Sequence, residues 1–483
     1  MSLHKNQPKG LFLLFFVEMW ERFAYYGMRA LLVLYMVKVL LYSTEKSGQI
    51  YGWYTGMVYL TPLLGGYIAD RYLGQRKCIV IGAILMAMGE FALAVPNTPF
   101  FFGALILLII GNGFFKPNIS TVVGSLYEQN DPRRDGGFTI FYMGINLGAL
   151  FSPLICGTLA DKVGWGWGFA SAGAGMTMGL AMYLWGQKAI LGEACNKPAT
   201  PDDRYYIPLG MLGVLILFLL ASALQHGGIP TFSLIPNWLY AILGLLLAGG
   251  GFYAFASQNA KSTLTQVEKQ RIAVIFIMVF FSVFFWSAFE QAGSSLTLFA
   301  DLETNRMISI FGWNYEMPAS YFQSVNPLFI ILLTPLFAKM WVGLGETGKE
   351  PSSPVKFVIA LGLLALGFVV MIAAAASFQQ YGKVSMLWLI GAYLLHTLGE
   401  LCLSPVGLSL VTKLAPAQFG SLMMGVWLMS SAAANYVGGY FAGNYDAMNH
   451  TVFYMVPTAT AAGSALLLLL ITPKLKKWMH GIN

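Results

Sequence analysis

Charged residues are scarce in this 483-residue chain. Asp, Glu, Lys and Arg together make up 10% of it, whereas aliphatic and aromatic residues with Met and Cys make up 57%. Soluble domains carry about 25% charged residues, so this composition excludes an ordinary soluble domain. Apolar runs near or above the roughly 20 residues that span a bilayer recur along the chain. We therefore expect an all-α polytopic membrane protein.

Cysteine and histidine are also sparse. The four cysteines are scattered, without a Cys-x-x-Cys pair or a histidine at ligand spacing, and the chain has five histidines. This pattern argues against structural disulfides and against a zinc site. Because no nucleophile–base pair is evident either, we predict a protein that is not an enzyme and that uses no cofactor and no metal. The cysteines are Cys78, Cys156, Cys195 and Cys402.

Fourteen apolar segments are predicted, in groups of six, two and six. They run over 11–41, 48–69, 78–95, 99–124, 137–160, 166–189, 205–225, 237–257, 271–300, 320–343, 355–377, 385–412, 418–442 and 451–472. The outer groups predict two six-helix bundles, at 1–190 and 271–483, with a linker and an accessory helix pair within 191–270. That pair has no ionisable residue in its middle, so we expect it to face lipid.

Basic residues are distributed unevenly among the loops. With the N-terminus in the cytoplasm, the inside segments hold 20 Lys and Arg residues and the outside loops hold four. Cytoplasmic loops of membrane proteins carry such an excess, so both termini are predicted to be cytoplasmic. The net charge of +7 then reflects topology and not a nucleic-acid partner. The four outside residues are Lys46, Lys162, Arg306 and Lys383.

The first apolar segment carries charges, which need partners and a purpose inside a membrane. Because a helix advances about 100° per residue, its polar residues fall on an arc of roughly 140°. A structural ion pair between two helices is one explanation. We favour the interpretation that these residues line a polar transport pathway and include a proton-titratable group, since a structural ion pair between two helices would not need six polar residues. They are Glu18, Glu21, Arg22, Tyr25, Tyr26 and Arg29.

Further polar residues lie within later segments. Lys116 precedes Pro117, and it either pairs with an acidic neighbour or receives a substrate carboxylate. Trp286 and Glu290 are four residues apart and share a helix face, as do His396 and Glu400. We expect His396 to be packed and Glu400 to be functional. The others are Glu90, interpreted as structural, Asn146, Asn326 beside an expected kink at Pro327, Ser404 and Trp427.

The loop after the second segment, from Gly66 to Lys77, resembles the cytoplasmic loop motif of the major facilitator superfamily. Asp70 and Arg76 in it are expected to clamp helix ends, although a tight turn with solvated charges is an alternative. Most intramembrane charges fall in segments 1, 4, 7 and 10 of a twelve-helix plan. These are the equivalent first helices of four three-helix repeats, which predicts a central cavity between two halves.

Glu18-x-x-Glu21-Arg22-Phe23-x-Tyr25-Tyr26-Gly27 resembles the first-helix motif of the proton-dependent oligopeptide transporters. The resemblance continues in the right order through four later stretches, so it spans residues 18 to 405. The six-two-six helix plan also resembles bacterial members. The later stretches are Lys116-Pro117-Asn118, Phe141-Tyr142-x-x-Ile145-Asn146, Gln291-x-Gly293-Ser294-Ser295-Leu296 and Gly399-Glu400-x-x-x-Ser404-Pro405.

This resemblance implies a symporter that imports di- and tripeptides with protons by alternating access. It implies peptide, proton and lipid partners, no nucleic acid, a functional monomer, and a bacterial cytoplasmic membrane. The expected substrate-binding residues are Arg22, Tyr26, Tyr59, Lys116, Asn146, Trp286, Asn326, Glu400, Ser404 and Trp427. Proton coupling would use Glu18, Glu21, Arg22 and Glu290, and a gate would join Arg29 to Glu290.

Two alternatives remain within transport: an exporter of cationic or amphipathic compounds driven by proton exchange, and a transporter selective for a peptide-like substrate. An exporter would need acidic groups in its cavity without paired cations, so Arg22 and Lys116 argue against it. A membrane scaffold would not retain so many intramembrane charges.

Overall fold

The computed structural model describes residues 7–128, 131, 133–192, 195–198, 205, 209–213, 215–217, 219–220, 264–310, 312–416 and 419–482. Long helices dominate this part of the chain. They are α1 Lys9–Lys38, α2 Thr44–Leu60, α3 Pro62–Ile68, α4 Gln75–Leu93, α5 Thr98–Ser125, α6 Arg134–Lys162, α7 Trp165–Leu191, α8 Gln266–Phe289, α9 Ser295–Leu302, α10 Val325–Glu346, α11 Ser353–Tyr381, α12 Leu387–Leu414, α13 Gly420–Ala442 and α14 His450–Trp478.

Twelve of the fourteen predicted segments coincide with helices α1 to α14, some as broken pairs. Among the described residues, seven helical stretches are long and apolar enough to cross a membrane by length and composition. The protein is therefore an all-α integral membrane protein. The predicted accessory pair, 205–225 and 237–257, lies largely outside the described residues, which in this region include helical residues between 209 and 220.

Local sequence explains several helix ends. Helix α8 starts with a capping box, in which the Glu268 amide donates to the Thr265 hydroxyl at 3.3 Å and the Thr265 amide donates to the Glu268 carboxylate at 2.8 Å. This exchange satisfies amides that the first helical turn leaves unpaired. Helices α5 and α11 have proline in the first turn, where the missing N–H costs no helical hydrogen bond.

The chain divides into two compact units. The first comprises the described residues of Met1–Ser43, Met57–Ala223 and Arg306–Ile331, and the second those of Thr44–Gly56, Leu224–Asn305 and Leu332–Asn483. Helix α2 begins in the second unit and ends in the first, a division that hydropathy does not reveal.

In the first unit, α1 packs on α6 and α7, and α4 packs on α5 and α7. Glycines on α6 allow α1 to approach closely. A Cβ atom at Gly144 would lie 2.9 Å from the Phe15 carbonyl oxygen, and one at Gly148 would lie 2.3 Å from that of Met19. This close approach brings the charged face of α1 into the interior of the unit.

In the second unit, α11 packs on α12 and α14, and α8 packs on α13. The first part of α2 also contacts α13 backbone to backbone. A Cβ atom at Gly48 would lie 2.5 Å from the Gly443 nitrogen, and one at Gly439 would lie 2.3 Å from the Gly52 Cα. Only residues without a side chain fit this contact.

Two features depart from the predicted helices. The segment predicted over 271–300 is interrupted, because a 3-10 turn at Glu290–Gly293 separates α8 from α9. Pro327, where a kink is predicted, lies in the first turn of α10 directly after a 3-10 turn at Ala319–Ser324, and the proline inside α10 is Pro335. A first-turn proline breaks no hydrogen bond within the helix.

Short strands join some helices. In the second unit β1 Thr304–Asn305 pairs in parallel with β4 Val384–Ser385, with Thr304 opposite Val384. In the first unit β2 Met307–Ile310 and β3 Trp313–Glu316 form an antiparallel hairpin, with Met307 opposite Glu316. The apolar pattern did not predict these strands, because they hold only two to four residues each.

The loop between α3 and α4 confirms part of its predicted role. Arg76 donates to the carbonyl oxygens of Gly192 and of Gln187, the latter at 2.8 Å, and so clamps the C-terminal end of α7. A cation at this position also opposes the negative end of the helix dipole. Asp70 instead accepts a hydrogen bond from the Gln75 side chain at 2.6 Å.

Candidate functional site

The charged face of α1 forms a buried ion cluster in the first unit. Arg22 donates through two nitrogens to both carboxylate oxygens of Glu21, and its Nε lies 3.6 Å from Oε1 of Glu18. Both carboxylate side chains are 0% exposed and Arg22 is 6% exposed. The helical spacing of three and four residues places these groups on one face, as the sequence predicted.

Helix α5 adds a second cation to this cluster. The Lys116 ammonium donates to Oε1 of Glu18, and its side chain remains 30% exposed. Oε2 of Glu18 has no hydrogen-bond partner among the described residues. Two carboxylates and two cations balance in charge, so the cluster is neutral when all four are ionised. A proton taken up by either carboxylate would leave a cation in need of an anion.

Tyrosines cover the arginines of α1. The Arg22 guanidinium carbon lies 4.9 Å from the centre of the Tyr25 ring, and the Arg29 guanidinium carbon lies 5.8 Å from that of Tyr26. Such cation–π contacts stabilise a cation that has left water. Tyr26 is half-buried and Arg29 is 8% exposed.

The amide and tyrosine side chains predicted for this site also lie in the first unit. Asn146 is buried and donates at 3.0 Å to the Tyr142 carbonyl oxygen of its own helix, which leaves its amide oxygen as an acceptor. Tyr59 near the end of α2 and Asn326 in the first turn of α10 are half-buried.

The second unit holds the remaining predicted residues. Glu290 opens the 3-10 turn after α8 and is 7% exposed, and Glu400 on α12 is 8% exposed. Trp286 and Ser404 are half-buried. The helix break at Glu290 is held by the Gln291 side chain, which donates to the Gly438 carbonyl oxygen at 2.9 Å. Glu290 therefore sits at a fixed discontinuity of the backbone.

Two further residues of this unit are packed. The His396 ring centre lies 4.7 Å from that of Phe368, and a Cβ atom at Gly367 would lie 2.3 Å from the histidine ring. The packed role predicted for His396 is therefore confirmed. Trp427 is 5% exposed and its ring lies against Gly407, where a Cβ atom would lie 2.2 Å away.

Sequence reasoning missed a polar cluster in the second unit. Glu303 is 1% exposed, accepts a hydrogen bond from the Tyr445 hydroxyl at 2.6 Å, and pairs with Nδ1 of His450. Burial raises the pKa of Tyr445 well above its ordinary value, and Tyr454 and Glu303 raise that pKa further. Some 140 residues separate Glu303 from its partners, so no spacing in the sequence could reveal the cluster.

Metal binding finds no support in the described part of the chain. No group of three His, Cys, Asp or Glu side chains there could hold a metal ion. All four cysteines are free thiols, and Cys195 is half-buried while the other three are buried. The arrangement instead suits proton exchange and the binding of small ions.

Comparison with known proteins identifies the family. Residues 76–456 match the model of the PTR2 POT family. The uncharacterized transporter YclF of Bacillus subtilis is 39% identical over 99% of this chain and 96% of its own. The peptide transporter YePEPT of Yersinia enterocolitica is 38% identical over 97% and 94%. A di-/tripeptide transporter of Lactococcus lactis is 35% identical over 99% and 98%.

Solved structures agree with this assignment. A POT family transporter in complex with a thioalcohol-conjugated peptide matches with a TM-score of 0.86 and 33% identity, over 98% of both chains. A peptide transporter POT in complex with sulfate also matches with a TM-score of 0.86, at 35% identity over 99% of this chain and 97% of that one. The chain belongs to the POT family, within the major facilitator superfamily. This is a family of transporters and not of enzymes.

Proposed function

We propose that this protein imports di- and tripeptides together with protons by alternating access. The observation that carries the proposal is the buried cluster of Glu18, Glu21, Arg22 and Lys116, whose two cations are held by carboxylates that can accept protons. Relatives named peptide transporter and di-/tripeptide transporter support the substrate class.

The chemistry of the cluster fits a zwitterionic substrate. Protonation of Glu18 or Glu21 releases Lys116 or Arg22, and the released cation binds the C-terminal carboxylate of a peptide. We assign Glu400 to the N-terminal amine. Charge-assisted hydrogen bonds to the two termini of the peptide select for the length of its backbone and do not depend on its side chains. Such a transporter therefore accepts peptides of varied sequence.

The remaining roles follow the family resemblance. We assign Tyr26, Tyr59, Asn146, Trp286, Asn326, Ser404 and Trp427 to peptide contacts. We assign Arg29 and Glu290 to a gate, which opens when Glu290 binds a proton and releases Arg29. A Glu290→Gln protein that retains proton-driven uptake would contradict this gate.

We also propose the number of transmembrane helices, their grouping and their orientation in the membrane. We infer fourteen transmembrane helices, with six-helix bundles at 1–190 and 271–483 and an accessory pair within 191–270. We place the protein as a monomer in the bacterial cytoplasmic membrane, with both termini cytoplasmic. The excess of Lys and Arg in alternate loops and the family membership support this topology.

Uptake of labelled dialanine into proteoliposomes tests the function. An inward proton gradient should drive uptake, tripeptides should compete, free alanine should not, and an uncoupler should abolish accumulation. Lys116→Ala should lower this uptake at least about tenfold, whereas Lys339→Ala, at an exposed lysine of α10, should leave it unchanged. Well-folded protein without dialanine uptake would refute peptide import and favour a selective substrate or an exporter.

A further inference from the structure

Helix α9 ends in the buried carboxylate Glu303, a member of the polar cluster of the second unit. The backbone holds this residue in place. The Glu303 amide donates to the Phe299 carbonyl oxygen at 3.0 Å, and the Glu303 carbonyl oxygen accepts from the Val384 amide at 2.9 Å. Glu303 is 1% exposed. Its carboxylate is therefore fixed at the point where α9 joins the β1–β4 pair.

Two side chains at the connection between α13 and α14 meet one oxygen of this carboxylate. Tyr445 donates to Oε1 of Glu303 at 2.6 Å, and Nδ1 of His450 pairs with the same atom. The His450 ring is stacked on the Tyr445 ring, with the centres 4.2 Å apart and the planes at 21°. The stacking holds the imidazole with Nδ1 toward the carboxylate.

These contacts determine which nitrogen of His450 gains or loses a proton. An ionised carboxylate oxygen only accepts hydrogen bonds, so Nδ1 carries a hydrogen atom while it binds Glu303. The proton that can leave the imidazolium is therefore the one on Nε2. The His450 side chain is 23% exposed, so it can exchange this proton with its surroundings. Histidine is the side chain that ordinarily changes its charge between about pH 5 and 8.

The charge of His450 determines how strongly it holds Glu303. A hydrogen bond between ionised groups is about twice as strong as one between neutral groups, so protonation of Nε2 tightens the pair. After the proton leaves, Glu303 still accepts from Tyr445 and keeps a partner in both states. His450 lies in the first turn of α14, where the helix dipole opposes a cation. The imidazolium therefore depends on Glu303 for its compensation.

The other ionisable groups at this end of the second unit are named by element. On α14 itself, the ring centre of Tyr454 lies 6.4 Å from that of Tyr445. Between α13 and α14, Asp446 accepts a hydrogen bond from the Thr44 hydroxyl of α2. The remaining ones are Asp301 of α9, which is buried, Glu45 and Lys46 of α2, and Tyr381 and Lys383 at the end of α11, which are exposed except for the half-buried Lys46.

The charged groups at the other end of the packed helices are remote from His450. Gln270 near the start of α8 contacts His480, which follows the end of α14. His450 begins α14, whose 29 residues place it about 40 Å from that end at 1.5 Å per residue. The remote groups are Glu268, Lys269 and Arg271 of α8, Lys474, Lys476 and Lys477 of α14, and Lys356 in the first turn of α11.

The cluster joins several segments that are predicted to lie on the outer side of the membrane. Residues 301–319, 378–384 and 443–450 all follow or precede predicted segments on that side. Glu303 contacts the second of these stretches through Val384 and the third through Tyr445 and His450. A change of charge at His450 therefore acts on the contact between the end of α9 and the start of α14.

We propose that Glu303, Tyr445 and His450 form a proton-binding latch at the predicted outer end of the second unit. At acidic external pH, His450 binds a proton on Nε2, and the ion pair with Glu303 holds the end of α9 to the start of α14. As the external pH rises, the proton returns to the solvent and the latch weakens. One proton is bound or released, and Glu303 stays ionised throughout.

Helix α9 connects the latch to the proposed gate. It begins directly after the turn at Glu290–Gly293 and holds eight residues, which span about 12 Å. A latch that fixes one end of α9 therefore limits the movement of the turn at its other end. In the proposed function, on which this consequence rests, external acid fixes the geometry of the gate at Glu290 through α9.

Hydrogen–deuterium exchange of the purified protein in detergent tests the latch without any transport assay. In wild-type protein, the amides of 299–305 and 443–453 should be more protected at pH 5.5 than at pH 8, after correction for the intrinsic pH dependence of exchange. The reason is that local opening must break the ion pair at the lower pH. We expect a loss of protection of about fivefold, the lower end of coupling between sites in proteins. Equal protection at the two pH values would overturn the proposal.

Two variants assign the pH dependence to the latch. His450→Gln keeps a donor for Glu303 but cannot change its charge, so these amides should show the same lower protection at both pH values. His480→Gln, at an exposed histidine, is the matched control and should keep the wild-type pH dependence. A pH dependence that survives in His450→Gln would assign it to another group, and the proposal would be wrong. If His450→Gln does not fold, Glu303→Gln should abolish the pH dependence, because it removes the anion.

Peptide counterflow with equal pH on both sides of proteoliposomes tests the action of the latch on the gate. His450→Gln should exchange peptide about fivefold more slowly than wild type at pH 5.5 and at the wild-type rate at pH 8, because only the wild-type latch tightens in acid. His450→Gln with the wild-type rate at both pH values would refute this action. If wild-type protein exchanges no peptide at all, peptide import fails, while the amide protection still decides whether the latch exists.

Discussion

Individual charges in this protein depend on one another because they are buried together. Glu18 lies between Arg22 and Lys116, and Glu21 holds Arg22 with both oxygens. Removing one member leaves an unpaired charge in a poorly hydrated place, which costs more than the pair itself contributes. This mutual dependence makes the cluster sensitive to a single proton and to a single arriving carboxylate.

The pair of Glu18 and Lys116 can be measured by a double-mutant cycle on thermal unfolding in detergent. Lys116→Ala should destabilise the protein by about 1–2 kcal/mol, less than a fully buried pair because the lysine is partly exposed. Glu18→Gln together with Lys116→Ala should be less destabilised than the sum of the single changes. Strict additivity would show that the two side chains do not interact.

Residue-level prediction succeeded where partners lie on one helix. The spacing of Glu18, Glu21 and Arg22 predicted their common face, since the helix period alone determines it. The partner of Lys116 could be predicted only as some acidic residue, because Glu18 lies 98 positions away. Glu90 was interpreted as structural because it lies near the outer end of its segment, a position that gives no information about its hydrogen bonds.

At the scale of helices, glycine determines how closely neighbours approach. The contact between α2 and α13 places Gly52 and Gly439 so close that a Cβ atom at Gly439 would lie 2.3 Å from the Gly52 Cα. Membrane helices gain stability from such close packing, since lipid provides no hydrophobic drive for their association. The glycines are therefore structural at this contact.

Gly439→Leu should lower the thermal stability of the detergent-solubilised protein by about 1–3 kcal/mol, because the new side chain separates α2 from α13. Gly463→Leu on α14 is the matched control, since a Cβ atom there meets no other atom within 4 Å, and its effect should stay within about 0.5 kcal/mol. Equal effects of the two changes would contradict the close contact.

Hydropathy located the long helices but not their interruptions. An apolar run of about 20 residues is long enough to cross the bilayer as a helix. For this reason, twelve predicted segments coincide with helices in the described part of the chain. The break at Glu290–Gly293 depends on the bond from Gln291 to Gly438, a tertiary contact. The apolar pattern also did not predict that Thr44–Gly56 packs in the second unit.

The two compact units divide the ionisable groups between them. The first contains Glu18, Glu21, Glu90, Arg22 and Lys116, and the second contains Glu290 and Glu400. The ion cluster of α1 and α5, which we propose binds the peptide carboxylate, therefore lies within one unit.

The orientation of the whole chain in its membrane is a prediction that rests on 20 basic residues expected inside against four outside. Lys383, between α11 and α12, is exposed and predicted to lie outside; Lys477, in the last turn of α14, is exposed and predicted to lie inside. Single cysteines at these positions are to be introduced in a background with Cys195→Ser, since Cys195 is only half-buried. In intact cells, a membrane-impermeant thiol reagent should label Lys383→Cys and should label Lys477→Cys only after the membrane is opened.

The background protein without either new cysteine gives the labelling due to the three buried cysteines. Because Lys383 and Lys477 lie on opposite sides of an odd number of predicted segments, only one of them can be reached from outside under either orientation. Labelling of Lys477→Cys alone in intact cells would invert the topology. Labelling of both would mean that one of the predicted segments 385–412, 418–442 and 451–472 does not cross the membrane. The prediction of fourteen transmembrane helices would then be wrong, even if the orientation of the first bundle is unchanged.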